Sequence, residues 1–177
     1  MLLTLFLAAY TIFLFVVCVV MTYAAFYVLK YRVPSIPTNK RIRENMIKLA
    51  GLTTNQNVYD LGCGMGHILI TAHKLHPKNH YHGYDISKPA IYWARLKVKF
   101  LKQDINFYCA DFFQQDLSNA DVIFTYLWPS IMDRIYTEIW PSLKPGTKLI
   151  SHGFPIKALK PVETVRVGKS KVLVYIR

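Results

Sequence analysis

Tyr59-Asp60-Leu61-Gly62-Cys63-Gly64-Met65-Gly66-His67 is the stretch on which the reading of this chain turns. It sets an acid at the end of an expected strand and glycine at three alternate positions after it. A helix-forming run, Ile68-Leu-Ile-Thr-Ala-His-Lys74, follows at once, with His67 at its opening. Glycine lets the chain turn sharply and lets bare backbone approach a ligand, which any side chain would prevent. Asp60 stands where a carboxylate accepts hydrogen bonds or faces positive charge. Alternate glycines alone serve many strand-to-helix turns. Acids spaced downstream, each at the end of its own strand, give these three a wider meaning.

The pattern repeats along the chain. Tyr81-His-Gly-Tyr-Asp85 reads as a strand ending in an acid, and the next helix, from Lys88, has Pro89 near its first turn. Ile105-Asn-Phe-Tyr-Cys-Ala-Asp111 is a second such strand. Asp121-Val-Ile-Phe-Thr-Tyr126 is a third, leading into Leu127-Trp-Pro-Ser130 and more helix. After Leu143-Lys-Pro-Gly146 come strands over 147–151, 162–167 and 171–177, the last two joined by a turn at Gly168-Lys-Ser170. Strands alternating with helices predict an α/β fold with a mostly parallel sheet and ligands at the carboxyl ends of its strands. The final pair predicts an antiparallel hairpin closing one edge.

These residues resemble the class I, seven-stranded S-adenosylmethionine-dependent methyltransferases. The resemblance rests on Asp60-Leu-Gly-Cys-Gly-Met-Gly66, Asp85, Cys109-Ala-Asp111, residues 121–126, Leu143-Lys-Pro-Gly146 and the terminal hairpin. It implies a Rossmann-like, seven-stranded, mostly parallel sheet and S-adenosyl-L-methionine as cofactor. It further implies a binding set of Thr38, Asp60, Gly62, Cys63, Gly64, Gly66, Asp85, Ile86, Asp111 and Phe112. The glycine loop would pack against the methionine portion, Asp85 would take the ribose hydroxyls and Asp111 the adenine amine. The chemistry agrees, since paired hydroxyls and an amino group all need acceptors. A nicotinamide-binding domain is the rival reading of the glycines. It calls for Gly-x-Gly-x-x-Gly, and the third glycine here comes one residue early.

The amino terminus carries the second strong signal. From Leu2 to Leu29 no residue is charged, and about 20 apolar residues suffice to cross a bilayer as a helix. Tyr23, Phe26, Tyr27 and Tyr31 gather at its far end, where amphipathic rings favour the headgroup zone. A cleaved secretory signal would have a basic start and a shorter apolar core; a buried core helix would carry some polar residues. Residues 1–29 are therefore expected to be a single transmembrane anchor. Lys30, Arg32, Lys40, Arg41, Arg43 and Lys48 follow the span and nothing basic precedes it but the chain's own amine. Positive flanks stay inside, so the catalytic domain is expected on the cytoplasmic or matrix-equivalent side.

Residues 30–50 are expected to form a linker and a helix, and 51–177 the methyltransferase domain. Two prolines hold Val33-Pro-Ser-Ile-Pro-Thr38 extended. Thr38 is expected to cap a helix from about Asn39 to Ala50, with Gly51 as its stop. The net charge is +12, from 22 Lys and Arg against 10 acids. Beside a membrane such a surface is drawn to anionic headgroups. Nucleic acid is the competing partner, but no recognition motif for it appears and none is expected to bind. The three cysteines form no framework and fit a reducing compartment. His73 with His76, and His80 with His82, lack acids at matching spacing, so no metal site is expected.

A narrower resemblance concerns the substrate. The entry segment 33–38, and the pairing of Leu143-Lys-Pro-Gly-Thr147 with Ile150-Ser-His-Gly-Phe-Pro155, are similar to a family of protein-lysine methyltransferases. It includes mitochondrial enzymes acting on the adenine nucleotide translocase and the ATP synthase c-subunit, and archaeal relatives. That family usually has an acid between the second and third glycines and an arginine after the third, where this chain has Met65 and His67. The resemblance implies a protein-lysine substrate at or near the membrane. In this architecture Thr125-Tyr-Leu-Trp-Pro129 lies beside the reacting methyl group. Tyr126 and Trp128 are the candidate catalytic residues: a lysine pushed between rings loses water and is deprotonated more easily, and ring faces attract the cationic product. A methyltransferase for a lipid or small molecule, and a non-catalytic cofactor-binding scaffold, are the other two classes.

Overall fold

The computed structural model describes residues 2–31 and 38–177, without side-chain placement for 24–31. The expected linker at residues 33–37 and the rings of Phe26, Tyr27 and Tyr31 lie outside that description. The chain divides into two compact units, Met1–Ile36 and Pro37–Arg177. The first holds one helix, α1 (Leu2–Tyr31). At ~1.5 Å per residue it is ~45 Å long, against ~30 Å for a bilayer's hydrocarbon core. By length and composition it is able to cross a membrane, and no part of Leu2–Tyr23 is buried.

The second unit begins with α2 (Lys40–Ala50). The cap of this helix differs from the sequence expectation. Asn39, not Thr38, is the N-cap: its side-chain oxygen accepts from the Arg41 amide at 2.9 Å. Both residue types cap, and the asparagine, which ranks higher, sits one position nearer the first helical turn. Thr38 is instead buried, with its carbonyl accepting from Arg43 Nη1 at 2.5 Å. Gly51 ends the helix in the left-handed region, φ 59°, donating to the Lys48 carbonyl at 3.1 Å.

Strands and helices then alternate: β1 (Asn57–Leu61), α3 (His67–Leu75), β2 (His80–Asp85), α4 (Lys88–Leu101), β3 (Asn106–Cys109), β4 (Val122–Thr125) and α5 (Pro129–Arg134). Beyond α5 the helix widens over Ile135–Ile139 and tightens over Trp140–Ser142, before β5 (Lys148–His152), β6 (Glu163–Val167) and β7 (Ser170–Ile176). The seven strands form one sheet in the order β3-β2-β1-β4-β5-β7-β6. The first five are parallel, and β7 runs antiparallel to both β5 and β6. The Rossmann-like sheet with its carboxyl-terminal hairpin is thus present. Strand edges shift by a residue or so, the largest change being that β3 stops at Cys109 and leaves Asp111 beyond it.

Helices α2, α3 and α4 cover one face through Met46, Leu69, Ala72, Ile91 and Ala94. The α5 region covers the other, through Met132, Ile135, Ile139 and Trp140 against Leu61, Ile123 and Leu149. A strand buried on both faces reads as continuous apolar sequence, and Val-Ile-Phe-Thr of β4 is buried throughout. The strand order reverses between β1 and β4, which opens a crevice at their carboxyl ends.

Gly83 in β2 leaves room for the ring of Phe107 on β3 and the sulfur of Cys63 in the glycine loop. A Cβ there would stand 2.6 Å from Phe107 Cδ1 and 2.9 Å from Cys63 Sγ. Gly83→Ala is expected to cost about 1–3 kcal/mol through overpacking, with Phe107→Leu recovering part of the loss in the double variant. Denaturant unfolding of the three proteins checks this, and equal midpoints for Gly83→Ala and the parent would refute it.

Candidate active site

The glycine loop is held to the end of β2 by its own backbone. The amides of Gly62 and Cys63 both donate to the Tyr84 carbonyl, at 2.9 and 3.0 Å, and that of Gly66 donates to the Cys63 carbonyl at 2.8 Å. Gly62, Gly64 and Gly66 all have positive φ, at 77°, 51° and 72°, a region that costs side-chain-bearing residues free energy. Space adds a second demand at Gly62, where a Cβ would come 2.7 Å from Leu127 Cδ2.

Asp85 closes the loop. One carboxylate oxygen accepts from the Gly64 amide and the other from the Ser87 amide, each at 2.8 Å. A carboxylate offers about four acceptor positions, so each oxygen keeps a further one beside its amide donor. Burial pushes this carboxyl up, and the two amide donors pull it back. Asp111 plays a related part past β3: its Oδ1 accepts from the Phe113 amide at 3.0 Å and starts a turn that buries Phe112. Ile86, beside Asp85, is 45% exposed.

Asp60 is chemically unusual. It is 3% exposed, and burial, with the nearby Asp85 charge, pushes its carboxyl up to about 8. Cys63 is buried beside it, and burial together with Asp60 and Asp85 holds the thiol well above its ordinary value. At the far side of the loop, burial, then the charges of Lys97 and Arg43, push the His67 imidazole down. Lys97 Nζ stands 3.1 Å from His67 Nε2. The Arg43 Nε is buried with no partner among the described residues.

At the carboxyl ends of β4 and β5, which pair Thr125 with Ser151, four rings meet. Tyr126 lies 4.0 Å from His152, centroid to centroid, and 6.3 Å from Phe154; Trp128 stacks on Phe154 at 5.7 Å. Trp128 is the N-cap of α5 and is 44% exposed, while His152 is 5% exposed with Nδ1 unpartnered among the described residues. Burial pushes the His152 imidazole down, so it is uncharged at neutral pH. The structure thus brings Tyr126 and Trp128 together through Phe154. Sequence reasoning noted the stretch around His152 and Phe154 without joining it to this group. The missing signal was the adjacency of β4 and β5, with Gly153 (φ 82°) turning the chain back toward Tyr126.

Among the described residues no cluster of three His, Cys, Asp or Glu is placed to hold a metal. His73 and His82 have ring neighbours instead: His73 tilts against Tyr81, and His82 stacks with Tyr59 at 4.9 Å.

A family model described as the ANTKMT methyltransferase domain matches residues 60–163, from the buried acid near the end of β1 through the first residue of β6. The chain belongs to the ANTKMT methyltransferase family. This methyltransferase is 31% identical over 150 residues to a protein-lysine N-methyltransferase of Saccharolobus islandicus (strain REY15A), covering 81% of its own length and 92% of the relative's. Its fold is similar to that of an RNA methyltransferase from Salinibacter ruber, solved with S-adenosyl-L-homocysteine. That likeness has a TM-score of 0.76 and 30% identity, covering 80% of this chain and 93% of the other. A ribosomal protein L11 methylase from Lactobacillus delbrueckii subsp. bulgaricus, 21% identical with a TM-score of 0.63 over 75% and 74% of the two chains, shares the fold. The enzyme is S-adenosylmethionine-dependent, and the open acceptors on Asp85 and the orphaned nitrogen of Arg43 fit a ligand rich in hydroxyls and ending in a carboxylate.

The raised Asp60 carboxyl makes stability pH-dependent. The folded chain keeps this proton up to about pH 8, whereas the unfolded chain releases it near the ordinary value of 3.8. Raising the pH between those values therefore favours unfolding, by up to about 1.4 kcal/mol per pH unit. Thermal unfolding of cofactor-free protein at several pH values is expected to show a steeper decline for the parent than for Asp60→Asn. Parallel curves would mean that Asp60 ionises at its ordinary value.

Proposed function

We propose that this methyltransferase methylates the side-chain amine of a lysine in a protein substrate, working from a membrane to which α1 anchors it. The observation that carries the substrate reading is the ring group Tyr126, Trp128, His152 and Phe154 at the carboxyl ends of β4 and β5. The Saccharolobus relative, a protein-lysine N-methyltransferase, supports it.

Bound S-adenosylmethionine supplies an electrophilic methyl group on a sulfonium. In this proposal the glycine loop from Gly62 to Gly66, with Cys63 and Asp60, cradles the methionine end. Thr38 and Arg43 flank it, Asp85 and Ile86 meet the ribose, and Asp111 and Phe112 the adenine. The protein's remaining task is orientation and exclusion of water, because displacement at a methyl group needs an aligned and unprotonated amine. Aromatic walls strip water from the incoming ammonium and lower its pKa. His152, uncharged through burial, adds no repulsion toward a cationic acceptor. Ring faces then attract the methylated product, by about 0.5–2 kcal/mol.

The membrane part of the proposal is supported by the uncharged stretch of α1 from Leu2 to Leu29 and the basic residues that begin at Lys30. The positive flank assigns the catalytic unit to the cytoplasmic or matrix-equivalent side. A lipid or small-molecule amine is the second reading, favoured by the same helix.

Full-length enzyme, labelled cofactor and a membrane extract, with products separated into protein, lipid and RNA, provide the test. Label is expected in protein as methyl-lysine; label confined to lipid or RNA would sink the lysine reading while leaving the methyltransferase intact. Asp85→Ala is expected to weaken cofactor binding by about 2–3 kcal/mol. Trp128→Ala is expected to keep that affinity and lose transfer, up to about 100-fold if the amine is misaligned. Joint loss of both in Trp128→Ala would make the ring a packing element. Release of the enzyme by alkaline carbonate would refute the anchor, and digestion by protease from the outer face of right-side-out vesicles would refute the orientation.

A further inference from the structure

The outer side of α4 is left uncovered by the fold. Ala90, Ile91, Ala94 and Val98 face the sheet and are buried, while Tyr92, Trp93 and Phe100 are 64%, 55% and 81% exposed. Met65, at the tip of the glycine loop and 45% exposed, joins Trp93, Leu96, Lys97 and Phe100 around one open hollow whose walls are almost wholly carbon. Nothing in the mechanism above uses these side chains.

Charge identifies what covers them. Helix α4 carries Lys88, Arg95, Lys97 and Lys99 and no acid, with Lys102 as its C-cap. Lys88, Lys97 and Lys99 flank the rings, while the Arg95 guanidinium is held by the Phe107 carbonyl. His67, from α3, is the titratable neighbour of Lys97 and is held neutral by burial and by the charges beside it. A helix face with Trp, Tyr and Phe among lysines suits a bilayer interface, with rings at the headgroup level and cations on anionic lipid. A second copy of this chain, itself at +12, would meet like charge there.

We infer that the exposed face of α4, together with Met65, is a second membrane contact that seats the catalytic unit on an anionic bilayer surface. It extends the membrane reading proposed for α1 and is separable from it. Because Met65 lies between Gly64 and Gly66, the contact includes the glycine loop itself. Seating the domain on lipid therefore places the loop edge at headgroup depth.

Tryptophan makes the test direct, since all three, Trp93, Trp128 and Trp140, lie outside α1. Full-length enzyme is placed with vesicles whose acyl chains carry bromine, made from phosphatidylcholine alone or with phosphatidylglycerol added. Emission is expected to be quenched in the anionic vesicles, and Trp93→Phe is expected to abolish the quenched component. Lys99→Gln should lower the docked-to-undocked ratio about fivefold, the effect of roughly one lost basic contact. Equal quenching of parent and Trp93→Phe, or equal quenching in neutral and anionic vesicles, would overturn the proposal. So would an unquenched Trp93 in an enzyme whose Phe100→Asp variant loses methylation of a protein substrate, because the face would then dock protein. Carbonate extraction reads α1 separately: retained enzyme with Trp93 unquenched refutes the face and keeps the anchor, and released enzyme with Trp93 quenched does the reverse.

Discussion

One carboxylate ties the catalytic unit together. Asp85 ends β2, and its two oxygens take the amide of Gly64 on one side and that of Ser87 on the other. The first bond fixes the glycine loop; the second fixes the segment that opens α4, where Ser87 then caps the helix. Charge-assisted bonds of this kind are about twice as strong as neutral ones. Because each oxygen keeps a further acceptor position, the group that braces the fold is also free to accept another hydrogen bond. Removing it would loosen loop, helix and binding surface together.

The rest of the site is arranged around strand ends. Parallel strands deliver their carboxyl termini to one edge, so Asp60, Asp85, Tyr126 and His152 arrive near one another from four separate sequence regions. The two halves of that edge differ in character. On the β1-β2-β3 side stand carboxyls and bare backbone, suited to polar ligand groups. On the β4-β5 side stand rings and a neutral imidazole. In the proposed reaction the first side would take the polar cofactor and the second the alkylamine.

Much of this was legible in the sequence because backbone demands leave marks on residue type. Glycines after β1, an acid at or next to the end of each of the first two strands and the apolar Val122-Ile-Phe124 of β4 mark the sheet and its strand-end loops without any long-range information. Thr38 and Asn39 show where local signals fail: two competent caps stood side by side, and only helix geometry chose between them. Asp121 shows another limit. It reads as the start of a strand, yet its carboxylate serves as a clamp between neighbours, accepting from the Asn57 amide at 2.7 Å and pairing with Lys144. The ring group was only half visible, since His152 and Phe154 join Tyr126 and Trp128 through strand pairing that no short window contains. The bare face of α4 was invisible for a different reason: its sequence has the period of an ordinary amphipathic helix, and exposure of the rings depends on what fails to pack over them.

The environment of Cys63 bears on how the enzyme meets oxidants and electrophiles. Peroxides and alkylating agents attack thiolates, and susceptibility follows thiolate character and exposure. Cys63 sits in the glycine loop, yet it is buried, and burial first, then the neighbouring Asp60 and Asp85, hold its thiol well above the ordinary value. A cysteine in that position packs as a small apolar group against Gly83 and carries almost no nucleophilic reactivity. If the loop holds the alkylating cofactor as proposed, it is thereby lined with a sulfur that is a poor target for methyl transfer.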